Sequence, residues 1–271
     1  MLASSDWIKL IPMQEPDQQT RNIVLDGGVN FRDLGGYETA TGARVRWRRL
    51  FRSGNTHALS NADRGRLAAL GIRAVVDLRS VRERDEHPHG LKAHGEVEYN
   101  AYDHHHGAGD LVKMLDDPRL EAVHMEAAML ALYRDLPYQF AEVFGSLLRA
   151  IAFGPLPLVF NCTAGKDRTG VAAALLLGAL EVAWEDIVAE YLLSEHSVPA
   201  ILRSLQGSKW SGVLERIDPQ VVAPLFTVKR AYLEAMRESV TRRSGSIDAY
   251  LADDLRLDAA VFDALRRRLL Q

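Results

Sequence analysis

The stretch from Leu156 to Leu180, LPLVFNCTAGKDRTGVAAALLLGAL, decides the reading of the whole chain. It opens on a short apolar run, Leu156 to Phe160, after a Gly-Pro turn, which is the pattern of a buried central strand. It ends in an apolar run from Thr169 to Leu180 with no polar face, and a helix apolar all round is a central, buried one. The residues between are small or charged. The first turn of a helix leaves backbone N–H groups without partners, and its dipole favours negative charge. A tight loop from Thr163 to Arg168, turned at Gly165, would aim the N–H groups of Thr163, Ala164, Gly165 and Lys166 into one concavity, a nest for an anion. Arg168 adds a planar fork that matches two phosphate oxygens. The same positive field favours the thiolate of Cys162 over the thiol, and a thiolate beneath a bound phosphoryl group is placed for in-line attack at phosphorus. The Thr169 hydroxyl could donate to that thiolate when it leaves.

The loop is not a Walker loop, which needs a glycine where Phe160 stands and a Ser or Thr where Asp167 stands. A cysteine protease would need a histidine base beside the thiol, and the sequence near the loop supplies none. A sulfur-transfer or arsenate-reducing reading is weakened because no second cysteine exists to resolve an intermediate.

Outward from the loop, strands and helices alternate. The stretch from Gly27 to Gly54 carries turn signals and an alternation around Val45, Trp47 and Leu50 that suggests strands. Ser60 with Asp63 reads as a helix cap, Leu67 and Leu70 share one face, and Gly71 closes the helix. Ile72 to Leu78 reads as a buried strand, and Ser80 with Glu83 repeats the cap pattern. Residues 85–118 hold six of the nine histidines and read as a long irregular insertion. Two helices, 119–135 and 138–153, are expected on either side of Pro137, and residues 185–271 read as helices only. The alternation argues for an α/β fold, a mostly parallel sheet flanked by helices with a helical C-terminal extension. The expectation is one domain over residues 1–271, with 1–20 as an arm and 85–135 and 185–226 as insertion or lid elements.

Composition narrows the class. The 271 residues carry 33 Lys+Arg and 36 Asp+Glu, a net charge of −3, with 47% hydrophobic residues and one cysteine. Disorder and a disulfide framework are excluded, and a near-neutral balance argues against a nucleic-acid binder. No apolar run reaches the roughly 20 residues of a membrane span, and the N-terminus lacks a secretory pattern. A cytoplasmic protein is expected.

The motif from Cys162 to Gly170 resembles the signature of cysteine-dependent phosphatases, in particular the bacterial atypical family of the mycobacterial PtpB type. Asn30 to Gly36 (NFRDLGG), Leu50 to Gly54 (LFRSG) and Val76 to Ser80 (VDLRS) with Glu83-Arg84 are similar to that family's N-terminal motifs in order and spacing, and the tail from Val228 through Leu251 is similar too. The resemblance implies a protein-tyrosine-phosphatase-like fold and a two-step mechanism through a phosphocysteine, with no metal or other cofactor. It implies substrates carrying phosphotyrosine, sometimes phosphoserine or phosphothreonine, or phosphoinositides; Lys166 in the loop would suit a multiply charged head group. One departure stands out: family members carry His directly before the cysteine, and this chain has Asn161. Asn can hydrogen-bond but cannot carry charge, which implies weaker activation. It also keeps open a second reading, a pseudophosphatase that binds phospho-ligands without turnover.

A general acid must protonate the leaving group. The resemblance favours Asp167. Asp77, at a strand end beside the pocket, is a second candidate and a possible substrate contact, unless it is spent on a salt bridge to Arg79 or Arg52. Asp103, on the histidine-rich insertion, is a third. His87, His89, His94 and His104 to His106 lack the i, i+4 spacing of a helical metal site and read as surface loop. Arg44, Arg46, Arg48 and Arg49 read as a solvated edge strand or as a peripheral contact to an anionic membrane.

Overall fold

The computed structural model describes residues 21–92, 97–104, 109–204, 212 and 216–271. The expected arm at 1–20 and His94, His105 and His106 lie outside the described residues. Five strands, β1 (Arg32–Asp33), β2 (Leu50–Ser53), β3 (Ala74–Asp77), β4 (Glu98–Ala101) and β5 (Leu158–Asn161), form one sheet in the order β1-β2-β5-β3-β4. Only β1 runs antiparallel. Helices α1 (Asn61–Ala68), α2 (Val81–Glu86), α3 (Gly109–Met114), α4 (Ala122–Gln139), α5 (Ala141–Phe153) and α6 (Asp167–Ala179) accompany the strands. α7 (Trp184–Leu192), α8 (Val198–Ser204), α9 (Pro219–Phe226), α10 (Arg230–Ser244) and α11 (Ala259–Leu269) form the C-terminal part. The expected mostly parallel α/β sheet with a helical extension is what the chain forms.

β5 is the centre because its side chains suit both faces of the sheet. Leu158 and Phe160 join the larger core with α4, α5 and α6, while Val159 joins a smaller one with Phe51, Leu67 and Val75 on the α1 side. β2, β5 and β3 end in register: Ser53 and Asp77 both lie opposite Asn161. Loops at the carboxyl ends of such strands are where an open α/β sheet binds ligands. α6 then runs through the core with Val171 to Leu177 all buried. Each of its three central leucines contributes about 1.5–3 kcal/mol from burial, so the loop is held at both ends by elements that cannot shift cheaply.

Local signals held where they were strong. α1 and α2 both start with a closed capping box, Ser60 with Asp63 and Ser80 with Glu83. Elsewhere the structure differs. The 85–118 segment is not all irregular: Glu98–Ala101 adds a parallel strand at the sheet edge beside β3. That strand is half-exposed, so it has no apolar signature. Pro137 does not separate two helices; it lies within the last turn of α4, and the break falls at Phe140. The arginine run is not a strand. Arg44 and Val45 make only isolated bridges, to Glu38 and Leu270, and the chain turns at Trp47 to Arg49 before β2 begins. Since Leu50 is the start of β2 and Ser53 its end, these arginines precede the strand, at the edge of the sheet away from Cys162.

Candidate active site

Cys162 follows β5 directly and is 2% exposed, packed at the start of the loop that leads into α6. Gly165 turns the loop with φ +66°, and a Cβ there would stand 2.5 Å from the backbone nitrogen of Gly54. Gly54 is equally confined: its Cβ would stand 2.8 Å from the carbonyl carbon of Ala164. Two backbones therefore touch where no side chain fits, which is the physical content of the glycines in the β2 and β5 loops.

Each carbonyl of the loop is held from outside. Asn161 Nδ2 donates to the Cys162 oxygen at 3.4 Å. The Asn55 backbone N–H donates to the Thr163 oxygen at 2.8 Å. Asn30 Nδ2 donates to the Ala164 oxygen at 3.4 Å and to the Gly165 oxygen at 2.7 Å, and Arg52 Nη2 also reaches the Gly165 oxygen at 2.7 Å. A planar trans peptide points its C=O and N–H in opposite directions. Drawing four successive oxygens outward therefore turns the N–H groups of Thr163, Ala164, Gly165 and Lys166 inward.

Behind this belt lies a buried charge cluster. Arg32 Nε and Arg52 Nη1 bind the two carboxylate oxygens of Glu190, on α7, at 2.7 and 2.6 Å. Burial and the neighbouring Arg52 lower Arg32 to about 10, and its bonds to Glu190 work against that. Two cations on one carboxylate leave a surplus positive charge under the loop.

Arg168 opens α6, and its Nη1 and Nη2 bind Glu83 Oε2 and Oε1 at 2.7 and 2.6 Å. Nη1 also donates to the Leu78 carbonyl at 3.2 Å and Nη2 to the Thr163 hydroxyl at 3.4 Å, which leaves Nε, among the described residues, for an anion. The Thr163 hydroxyl donates to the same Glu83. Burial works against the ionisation of Glu83, but the hydrogen bonds and charge of Arg168 outweigh it and hold the carboxyl well below the usual carboxylate range. Thr169 is fully buried, and among the described residues its hydroxyl has no hydrogen-bond partner.

The candidate acids are placed very differently. Asp167 is 26% exposed at the loop rim, accepts from the Tyr133 hydroxyl at 2.8 Å and has Lys166 Nζ at 3.3 Å. Asp77 is fully buried: Arg79 Nη2 reaches it at 2.7 Å and the Tyr99 hydroxyl at 2.7 Å. This is the salt bridge weighed above, with Arg79 as partner. Asp103 is 81% exposed and paired with Arg84. Lys166 is also committed, donating to the carbonyls of Leu225 and Thr227 at 2.7 and 3.1 Å. The structure thus brings Cys162, the loop amides, Arg168, Thr169 and Asp167 together, and sets Asp77 beneath the loop rather than in its mouth. Sequence reasoning missed Asn30, Arg52 and Tyr133 as individual contacts, and had Glu83 only as a cap and as part of a resembling motif.

A sulfur at the base of a cup of amides, with an arginine at its wall, on the carboxyl edge of an α/β sheet, is the apparatus of a cysteine-dependent phosphatase. The chain belongs to the tyrosine phosphatase family, whose profile matches residues 23–271. It is 39% identical over 250 residues to a Cupriavidus necator protein provisionally named a tyrosine-protein phosphatase, covering 90% of this chain and 87% of that one. It is 30% identical over 259 residues to the triple specificity protein phosphatase PtpB of Mycobacterium tuberculosis, covering 84% and 92%. A tyrosine-protein phosphatase of Nostoc commune is 31% identical over 154 residues, 54% of this chain and 48% of that one. The resemblance read from the motifs is therefore met, and with it the expectation of a tyrosine-phosphatase-like hydrolase rather than a binding module.

Proposed function

We propose that the protein hydrolyses phosphotyrosine, and by the same chemistry phosphoserine or phosphothreonine, through a phosphocysteine at Cys162. The observation that carries this is the belt of four outward-held carbonyls, which supports a preformed anion cup above the sulfur. In the first step the S–P bond forms as the bond from phosphorus to the substrate oxygen breaks. Loop amides and the free Nε of Arg168 hold the three equatorial oxygens, where the transition-state charge is spread. Asp167 gives its proton to the leaving oxygen. In the second step Asp167 takes a proton from water as that water attacks phosphorus, and the S–P bond breaks, with Thr169 donating to the departing thiolate.

Two placements favour a protein phosphoester over a phosphoinositide. Lys166 spends its ammonium on backbone carbonyls and Asp167. The arginine run lies at the sheet edge away from the cup, so a membrane bound there would not present head groups to Cys162. The test is release of phosphate from a small aryl phosphate. It should be blocked by vanadate and abolished in Cys162→Ser, while Asp167→Asn should lose the limb of the pH–rate profile that reports a protonated acid. Retained turnover in Cys162→Ser would refute the mechanism, and a persisting limb in Asp167→Asn would remove Asp167 from the acid role. A substrate panel in which phosphoinositides outpace phosphotyrosine peptides would refute the preference.

A further inference from the structure

The position before the nucleophile is the weak point of the cup, since Asn161 holds the Cys162 carbonyl over a long 3.4 Å contact and is itself a two-sided, easily turned amide. Its surroundings show what fixes it. Asn161 is fully buried, and its Nδ2 also lies 3.4 Å from Asp77 Oδ1. Its Oδ1 has no hydrogen-bond partner by distance and angle among the described residues, and neither does Nε2 of the buried His89. Both groups border the buried Asp77: Asn161 through its Nδ2, and the His89 ring through Tyr99, against whose ring it packs and whose hydroxyl donates to Asp77 Oδ2. The other nitrogen of the ring, Nδ1, accepts from the Leu91 backbone N–H at 3.1 Å. Burial lowers His89 to about 4, so the ring is neutral near pH 7. A neutral imidazole carries one proton; with Nδ1 accepting, that proton is on Nε2. A buried donor and a buried acceptor, neither with another partner among the described residues, thus share one cluster around Asp77, where a buried polar atom left unmatched is costly.

We propose that His89 is a positioning residue of the phosphatase site: its Nε2–H fixes Asn161 Oδ1, so that Asn161 Nδ2 is turned to the Cys162 carbonyl and the Thr163 N–H is turned into the cup. His89 and Asn161 together do what one histidine before the cysteine does in relatives that have it. The ring is itself braced, 5.8 Å between centroids from Tyr99, whose hydroxyl holds Asp77. His89 comes from the segment after α2, more than seventy residues before the loop, so a fold-distant residue completes the nucleophile's environment. The inference rests on Cys162 being the nucleophile.

The experiment is the pH profile of Cys162 alkylation by iodoacetate, with aryl phosphate kinetics and melting temperature, for the full chain. The variants are His89→Ala, His89→Gln, Asn161→Ala and the double His89→Ala, Asn161→Ala. Glutamine keeps an amide donor near the place of Nε2. We expect His89→Ala to raise the alkylation midpoint by about one pH unit, equivalent to about tenfold less thiolate, and to lower kcat more than it raises KM. His89→Gln should restore most of both. The double variant should be no worse than either single one, because the two residues act as one unit. If His89→Ala does not fold, His89→Leu against His89→Gln carries the same comparison. A wild-type profile with the ordinary thiol midpoint near 8.5 overturns the Cys162 reading itself. A low wild-type midpoint left unmoved by His89→Ala or His89→Leu, or additive effects in the double variant, overturns the role of His89 alone.

Discussion

Glu83→Gln tests whether the arginine of the cup is preset or merely available. Glu83 Oε2 takes Arg168 Nη1 together with the Ser80 backbone N–H at 2.8 Å and the Ser80 hydroxyl at 2.9 Å. Its Oε1 takes Arg168 Nη2 and the Thr163 hydroxyl. All of these groups are donors. Glutamine has one oxygen to offer, and it will turn that oxygen to the more crowded Ser80 side, where it still closes the capping box of α2. Its NH₂ then faces Arg168 Nη2, donor against donor. One charge-assisted bond is lost outright, about 1.5–3 kcal/mol, and the other is weakened. Both side chains are partly exposed, 12% for Arg168 and 25% for Glu83, so solvent recovers a share and the net cost at neutral pH is about 2 kcal/mol. At about 2–4 °C per kcal/mol for a chain of this size, the melting temperature should fall by roughly 4–8 °C. Loss of alignment at the guanidinium should lower kcat about 10- to 100-fold.

The pH dependence makes the test specific. Arg168 depresses the folded-state ionisation of Glu83 below its ordinary 4.5. A depressed acid stabilises fully above its unfolded value and loses that contribution as pH falls through its folded one. The wild type should therefore lead the variant by the full margin at pH 7, and the lead should shrink as pH is taken from 4.5 downward. Thermal unfolding followed at several pH values reads this directly. A margin that stays constant from pH 7 to pH 3, or a kcat that does not change, would refute the preset arginine.

Gly165→Ala should be more damaging than its size suggests. The residue would sit at φ +66° with its Cβ 2.5 Å from the Gly54 nitrogen; the left-handed backbone alone costs about 1–2 kcal/mol, and the loop must open to relieve the contact. We expect turnover below one hundredth of wild type with measurable loss of stability, and near-normal kinetics would show that the cup is not rigid. Asn30→Ala releases the Ala164 and Gly165 oxygens but leaves Arg52 on the latter. Vanadate and substrate should both bind several-fold more weakly, with kcat less affected than KM; unchanged inhibition by vanadate would show that the belt does not orient the amides.

What could be read beforehand follows from how local each cause is. The strand, loop and helix around Cys162 were legible because their signals are contiguous: a run buried on both faces, small and charged residues, then a helix with no polar side. The caps at Ser60 and Ser80 were legible for the same reason. β4 was not, because Glu98 to Ala101 is paired along one edge only and half-exposed, so its strand character comes from β3 rather than from its own side chains. Asn30, Arg52 and Glu190 were illegible in another way. A charged residue within a strand reads as surface, and nothing in FRD or FRSG announces that both arginines meet one glutamate of α7, 138 and 158 positions on. His89 stood among histidines whose spacing excluded a metal helix, which says nothing about a single ring under the active loop.

The same long-range contacts explain how the cup can be strongly positive yet stable while empty. Each cation near it has an acid: Arg168 has Glu83, Lys166 has Asp167, and Arg32 and Arg52 share Glu190. Only the last set carries a surplus, and it lies behind the loop, where the Gly165 carbonyl separates Arg52 from the cup. A bound phosphate dianion therefore need not displace any of these acids to find attraction. It meets inward N–H groups, the helix terminus and the Nε of Arg168, all fixed beforehand by partners outside the site. Such prior fixing is what lets electrostatic groups stabilise a transition state without reorganising as the charge develops. It follows that loss of an outer partner should be felt in turnover even where the reacting residues are untouched.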